Sequence, residues 1–244
     1  MFITKDIKEA IAILKKGGVV VYPTDTAYGL GAKFSDQKAA TRIYKIKGRS
    51  RGKPLPAIAA GLAMVKKFFR LSARELALAK KYWPGALSLL LQIKTPPLGK
   101  GRLASGGGLT GGVTKISLPP LAPPYKGGEI GVVVRVPNSK IARKLSRAIG
   151  EPIFSTSANL SGKSECYSAK DVIKQFYHRK NIPSAVDRLR AKPDLIFDGG
   201  RLRKKKPSTI IKVVGDKIEI LRQGPVRIMN YELRIKKLSK NHNS

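Results

Sequence analysis

An apolar strand that runs directly into hydroxyls and glycines constrains this chain more than any other stretch. Val19-Val20-Val21-Tyr22 holds three β-branched residues and an aromatic with no charge among them, the pattern of a strand buried on both faces. Pro23 has no N–H and fixes its own φ, so paired structure is expected to stop there. Thr24-Asp25-Thr26 then brings three short oxygen-bearing side chains together, and Gly29-Leu30-Gly31 places glycines on either side of a leucine. Such a sequence reads as a ligand cradle. Hydroxyls hydrogen-bond a small polar substrate, and glycines let backbone approach it closely. This stretch alone also fits an ordinary strand followed by a Pro/Gly turn.

The remaining composition narrows the classes. A chain of 244 residues can bury a proper core, as one large α/β domain or two small ones. No apolar run reaches membrane-spanning length, and the N-terminus enters an amphipathic helix pattern, Asp6 to Lys16, rather than a signal peptide. The single Cys166 excludes an internal disulfide, and with only two histidines a zinc site is not expected. The reading is a cytoplasmic protein with no membrane partner. Its 49 Lys+Arg against 15 Asp+Glu give a net charge of +34, which repels itself and is best tolerated beside a polyanion. A solvated basic surface is the plainer account of the same number.

Along the chain, a helical face over Ile7, Ala10, Ile11 and Leu14 ends at Gly17-Gly18. A second helix opens near Asp36 and runs past Tyr44 into Lys45, Lys47, Arg49 and Lys53. Further helices are expected over Leu62 to Phe69, Ala73 to Tyr82, Ile141 to Ile149 (capped by Asn138 or Ser139) and Asp171 to Tyr177. Strands are expected at Pro54 to Ile58, Leu87 to Leu91, Gly131 to Pro137, Pro152 to Phe154 and Leu195 to Phe197, with a last hairpin from Ser208 to Leu221. Residues of about 95–129, rich in glycine and proline pairs, read as a low-complexity insertion, with a lid over the cradle as its functional alternative. The expected organisation is one α/β domain with a twisted mixed sheet over residues 1–226, then a basic tail over 227–244.

Chemistry gathers where buried strands end in polar groups: Thr24-Asp25-Thr26, Arg135, Ser155 to Asn159, and Ser208-Thr209. Lys47-Gly48-Arg49 adds a helix end. In an α/β sheet such ends converge on one crevice. Hydroxyls, an asparagine and fixed cations suit an anionic substrate, and phosphate is the natural anion. No phosphate-binding Gly-x-x-x-x-Gly-Lys-Ser/Thr, Gly-x-Gly-x-x-Gly or Gly-x-Ser-x-Gly occurs in such a context, and His178 sits in a basic run. The site is built for positioning and electrostatics rather than a covalent intermediate. Arg135, alone in an apolar strand, demands an anion. Asp25 reads as a turn residue, without a catalytic role.

Taken in order, Tyr22 to Gly31, Lys47-Gly48-Arg49, Arg135-Val136-Pro137, Ser157-Ala158-Asn159, Ser208-Thr209-Ile210 and Leu221-Arg222-Gln223-Gly224 resemble the YrdC/Sua5 family of threonylcarbamoyl-AMP synthases. The match runs from about Ile7 to Gly224. It implies a short form with one YrdC-like domain: a twisted sheet and flanking helices around a large, positively charged cavity. It implies that L-threonine, bicarbonate and ATP, with Mg²⁺, give threonylcarbamoyl-AMP and pyrophosphate for the t6A modification of tRNA. By the same resemblance Lys47 and Arg49 are catalytic. Lys47, Arg49, Lys53, Ser157, Asn159 and Arg222 contact ATP, while Thr24, Thr26, Arg135 and Ser208 hold threonine. tRNA and the downstream t6A transfer proteins are the implied partners. Taken without the resemblance, Lys47 and Arg49 fit a solvated helix end, and Ser157 and Asn159 fit the caps of a turn.

Three positions depart from that pattern. Ile58 stands where many members carry a histidine, Glu165 where many carry a second serine, and Gln223 where proline is usual. Two other readings compete. One is a non-catalytic factor that binds tRNA, ribosomal RNA or double-stranded RNA through its basic face, although 7% aromatic content offers few stacking platforms. The other is a carbamoyl-phosphate-dependent transferase module, for which the chain lacks cysteine-rich zinc motifs. The paired Lys-x-Arg and Ser-x-Asn favour the synthase.

Overall fold

The sheet is organised around a strand whose alternate residues feed two different cores. Val19 and Val21 belong to one apolar cluster, and Val20 and Tyr22 to the other. Side chains alternate across a strand, so an all-apolar run needs cover on both faces. The computed structural model describes residues 2–50, 52–94, 131–177 and 191–228. The expected insertion at about 95–129, His178, and all but the first two residues of the 227–244 tail lie outside the described residues.

The described elements run β1 (Ile3–Thr4), α1 (Ile7–Lys15), β2 (Val20–Pro23), β3 (Tyr28–Lys33), α2 (Gln37–Lys47), β4 (Ala57–Ile58), α3 (Leu62–Phe68), α4 (Ala73–Tyr82), β5 (Leu87–Leu91), β6 (Val132–Arg135), α5 (Lys140–Ile149), β7 (Ile153–Ser157), α6 (Ala169–Phe176), β8 (Leu195–Phe197), β9 (Thr209–Val214) and β10 (Lys217–Arg222). The strands form one mixed sheet in the order β1-β8-β2-β3-β7-β4-β6-β5-β9-β10. Ala10 and Leu14 of α1 and Ala142 and Leu145 of α5 cover one face with Val20 and Tyr22. Residues of α2, α3, α4 and α6, among them Ile43, Val65, Leu78 and Val172, cover the other. Among the described residues no helix is long and apolar enough to cross a membrane.

Helix ends follow the sequence chemistry. Asp6 caps α1 by accepting from the Lys8 N–H, and Asp36 caps α2 by accepting from the Ala39 N–H at 2.8 Å. Ser72 and Glu75 close a reciprocal capping box on α4. Gly48, at φ 59°, takes the left-handed turn that ends α2, and the Arg49 N–H then bonds the Tyr44 carbonyl. This reversal separates Lys47 from Arg49.

The cradle stretch corrects one expectation. Pro23 is the last residue of β2, paired opposite Tyr28, so the strand stops there as expected, but Tyr28-Gly29-Leu30-Gly31 is the start of β3 rather than a loop. β2 pairs with β8 only at Val20 and Val21, so no neighbour on that side requires an N–H from Pro23. Gly31 also serves a different purpose from the one expected. A Cβ there would lie 2.6 Å from the Phe154 carbonyl oxygen and 2.9 Å from the Tyr22 ring. Its close approach is to the next strand. Gly31→Ala is therefore expected to cost about 1–3 kcal/mol by overpacking. Urea denaturation checks this; an unchanged midpoint would contradict it.

Candidate active site in the central cavity

Strand ends from β2, β3, β6, β7, β9 and β10 meet around a cavity of about 260 Å³. Of the expected site residues, Thr24, Thr26, Arg49, Arg135, Ser157, Ser208 and Arg222 line it, whereas Lys47, Lys53 and Asn159 do not. Tyr28, Gly29, Ile58, Ser88, Ser155, Thr156 and Glu165 also contribute to the wall. Among the described residues, the charged ones in the lining are three arginines and one glutamate.

The Thr24–Ala27 turn orders its own hydroxyls. Thr24 Oγ1 donates to the Ala27 carbonyl at 2.6 Å, and lies 3.2 Å from Thr26 Oγ1. With its proton committed to Ala27, Thr24 accepts from the Thr26 hydroxyl, which keeps the lone pairs of Thr26 Oγ1 for a ligand. Asp25 faces away from this pair toward Arg135. Arg135 Nη2 lies 2.9 Å from Asp25 Oδ1, and Nη1 donates to Oδ2 at 3.3 Å. Asp25 Oδ1 is buried without a hydrogen bond, so its attraction to Nη2 is coulombic. The Asn138 N–H also donates to Oδ2. The anion that Arg135 demanded is thus Asp25 itself. Burial pulls the Arg135 guanidinium down from its ordinary value, and Asp25 pulls it back up. A guanidinium has five N–H donors, so this pair leaves others for an entering carboxylate.

Across the cavity, Ser208 Oγ lies 2.8 Å from Ser88 Oγ, and Arg222 donates to the Ser208 carbonyl and hydroxyl at 3.0 and 3.1 Å. Arg49 is held at the rim by its donation to the Lys53 and Pro54 carbonyls, each at 3.2 Å. Lys53 therefore supports Arg49 through its backbone, while its own side chain is exposed outside the cavity.

Lys47 departs most from expectation. Its side chain is 3% exposed, and Nζ donates to the carbonyls of Ser157 and Asn159 and to Asn159 Oδ1. Three acceptors use the three donors of an ammonium. Asn159 is equally committed, since its Nδ2 donates to the Leu160 and Lys163 carbonyls at 2.9 and 2.6 Å. Both residues brace the loop that follows β7. Burial, aided by the Arg49 charge, pushes the Lys47 amine down from 10.5 to about 8. The neighbouring Cys166 thiol is pushed up to about 12 by burial, which leaves it protonated and unreactive at neutral pH.

Two residues escaped the sequence reading: Ser88 in the wall, and Asp25, which pairs with the wall residue Arg135. Ser88 is the one polar residue in the apolar strand Leu87 to Leu91, and that break in pattern was its signal. By its neighbours alone Asp25 reads as a turn residue, because its partner lies 110 positions away.

The model of the Sua5, YciO and YrdC family, described as telomere recombination, matches residues 12–224. The chain belongs to this family. A threonylcarbamoyl-AMP synthase of Pyrococcus abyssi is 31% identical over 227 residues, covering 93% of this chain and 56% of that protein. The chain thus spans little more than half the length of that relative. The uncharacterized protein YciO of Escherichia coli K12 is 32% identical over 218 residues, covering 89% of this chain and 88% of YciO. Among solved structures, P. abyssi Sua5 complexed with L-threonine gives a TM-score of 0.69 at 30% identity, over 91% of this chain and 57% of that one. E. coli YciO gives 0.65 at 28% identity, over 92% and 94%. Within the Sua5/YciO/YrdC family, the expected mixed α/β fold is therefore present.

The displaced Lys47 proton makes a pH-dependent prediction. Between pH 8 and 10.5 the unfolded chain holds this proton and the folded chain releases it. Stability of the wild type relative to Lys47→Met is therefore expected to rise with pH across that window. Urea denaturation of both proteins at several pH values checks it; a flat difference would show that Lys47 titrates normally.

Proposed function

We propose that this protein is a threonylcarbamoyl-AMP synthase, a nucleotidyltransferase acting on L-threonine, bicarbonate and ATP. The observation that carries the reading is a single cavity shared by two sets of groups. Thr26, Arg135 and Ser208 suit an amino acid's carboxylate and hydroxyl, while Arg49, Ser157 and Arg222 suit a polyphosphate. Synthases among the relatives, and a threonine complex of P. abyssi Sua5, support it.

In this reading the threonine carboxylate lies on the donors of Arg135 that Asp25 leaves available. The amine of threonine attacks CO₂ derived from bicarbonate, forms a new N–C bond and loses a proton to give a carbamate. A carbamate oxygen then attacks the α-phosphorus of ATP. The bond from that phosphorus to the bridging oxygen breaks, and pyrophosphate leaves with the electron pair. Arg49 and Arg222 offset the charge that grows on the leaving group. Lys47 acts on the same chemistry as a positioning residue, by fixing the Ser157–Asn159 loop. Mg²⁺ enters with ATP as part of the substrate. The product would supply the t6A modification of tRNA in the cytoplasm, handed to downstream transfer proteins.

Incubation with ATP, bicarbonate and L-threonine is expected to release pyrophosphate only when threonine is present. Arg135→Ala should raise the KM for threonine by about 100-fold, the usual order for a lost buried charge contact. Arg49→Ala should instead lower kcat by roughly 10²-fold or more. Threonine-independent release, or none together with tight, salt-sensitive RNA binding, would overturn the synthase reading.

A further inference from the structure

Among the described residues Glu165 is the one acidic residue that lines the cavity, and the charges that share the wall with it are Arg49, Arg135 and Arg222. It is half-buried, and Oε2 accepts a hydrogen bond from the Tyr167 hydroxyl at 3.0 Å. Among the described residues it forms no ion pair, although three guanidinium groups border the same space. Arg135 is taken by Asp25, Arg49 is held by backbone carbonyls and Arg222 by Ser208. Lys47, close enough to feel the Glu165 charge, has all three donors on the loop after β7. Among the described residues no donor reaches Oε1 of Glu165, in a cavity otherwise suited to an anion.

We propose that Glu165 is the protein's ligand for the divalent cation that accompanies the nucleotide phosphates. The inference rests on the nucleotide reading above. A bare carboxylate beside a polyphosphate repels it, and a cation placed between the two reverses the sign. Mg²⁺ is held in this way, by one or two carboxylates together with phosphate oxygens and several waters. The remaining residues fit an ion delivered by substrate. Among the described residues no group of three or more His, Cys, Asp or Glu could hold a metal alone. Tyr167 fixes the carboxylate through Oε2 and leaves Oε1 for the ion.

The test is binding of a non-hydrolysable ATP analogue to the full chain by calorimetry, with Mg²⁺ and with EDTA, in the wild type and in Glu165→Gln. The wild type is expected to gain about tenfold or more in affinity from Mg²⁺, and Glu165→Gln to lose most of that gain while binding the metal-free analogue more tightly than the wild type does. Mn²⁺ in place of Mg²⁺ gives a second readout. Water-proton relaxation should report a protein-bound Mn²⁺–nucleotide complex in the wild type, and a weaker one in Glu165→Gln and Glu165→Asp at equal nucleotide occupancy. An equal Mg²⁺ gain in both proteins would overturn the proposal. So would weaker binding of adenosine alone to Glu165→Gln, because that would place the carboxylate on the nucleoside. Failure of the wild type to bind nucleotide under any condition would overturn the nucleotide reading itself, and this inference with it.

Discussion

The ion pair between Arg135 and Asp25 ties together the parts that make the cavity. Arg135 ends β6, Asp25 sits in the turn between β2 and β3, and the Asn138 N–H that also reaches Asp25 lies just ahead of α5. Nearby, Ser139 caps α5 and donates to the Pro23 carbonyl at 3.2 Å. Two strands and a helix are thereby locked at one corner. A buried arginine without an anion would be strongly unfavourable, and breaking such a pair by removing one partner usually costs about 3–5 kcal/mol. The same pair prepares a ligand site, since Asp25 keeps the guanidinium charged and oriented while leaving donors over. An entering carboxylate meets a cation whose desolvation has already been offset.

A division of labour runs through the rest of the wall. Lys47 and Asn159 spend their hydrogen bonds on the loop after β7, and so fix Ser157, which faces the cavity. The Lys53 carbonyl holds Arg49, and Ser208 holds Arg222. Tyr28 joins several loops at once. Its hydroxyl donates to the Gly200 carbonyl at 2.7 Å and accepts from the Gly199 N–H, while its backbone bonds Cys166 and Ala158. Rigid support of this kind is what positioning chemistry needs, because small displacements of reacting groups are costly.

Much of this was legible in the sequence because it is local. The limits of α4 and β5, the opening of α2 at Asp36, the Ser139 cap and the glycine stop of α1 all depend on neighbours within a few residues. The strand-end hydroxyls and Arg135 were visible as polar breaks in apolar runs. What was not legible depends on contacts across the chain. Nothing near Asp25 signals Arg135, and nothing near Lys47 signals that its ammonium lies on the Ser157–Asn159 loop. The Lys-x-Arg spacing looks like one cationic patch, yet the left-handed Gly48 sends its two members to opposite sides of the cavity wall.

The central claim is that one cavity holds an amino acid and a nucleotide together, with Arg135 as the carboxylate anchor. A crystal structure with L-threonine and a non-hydrolysable ATP analogue tests it most directly. The account predicts a threonine carboxylate oxygen within about 3.2 Å of an Arg135 nitrogen, with the Asp25 pair retained and the phosphates against Arg49 and Arg222. Threonine bound elsewhere, or an amino group rather than the carboxylate facing Arg135, would contradict it.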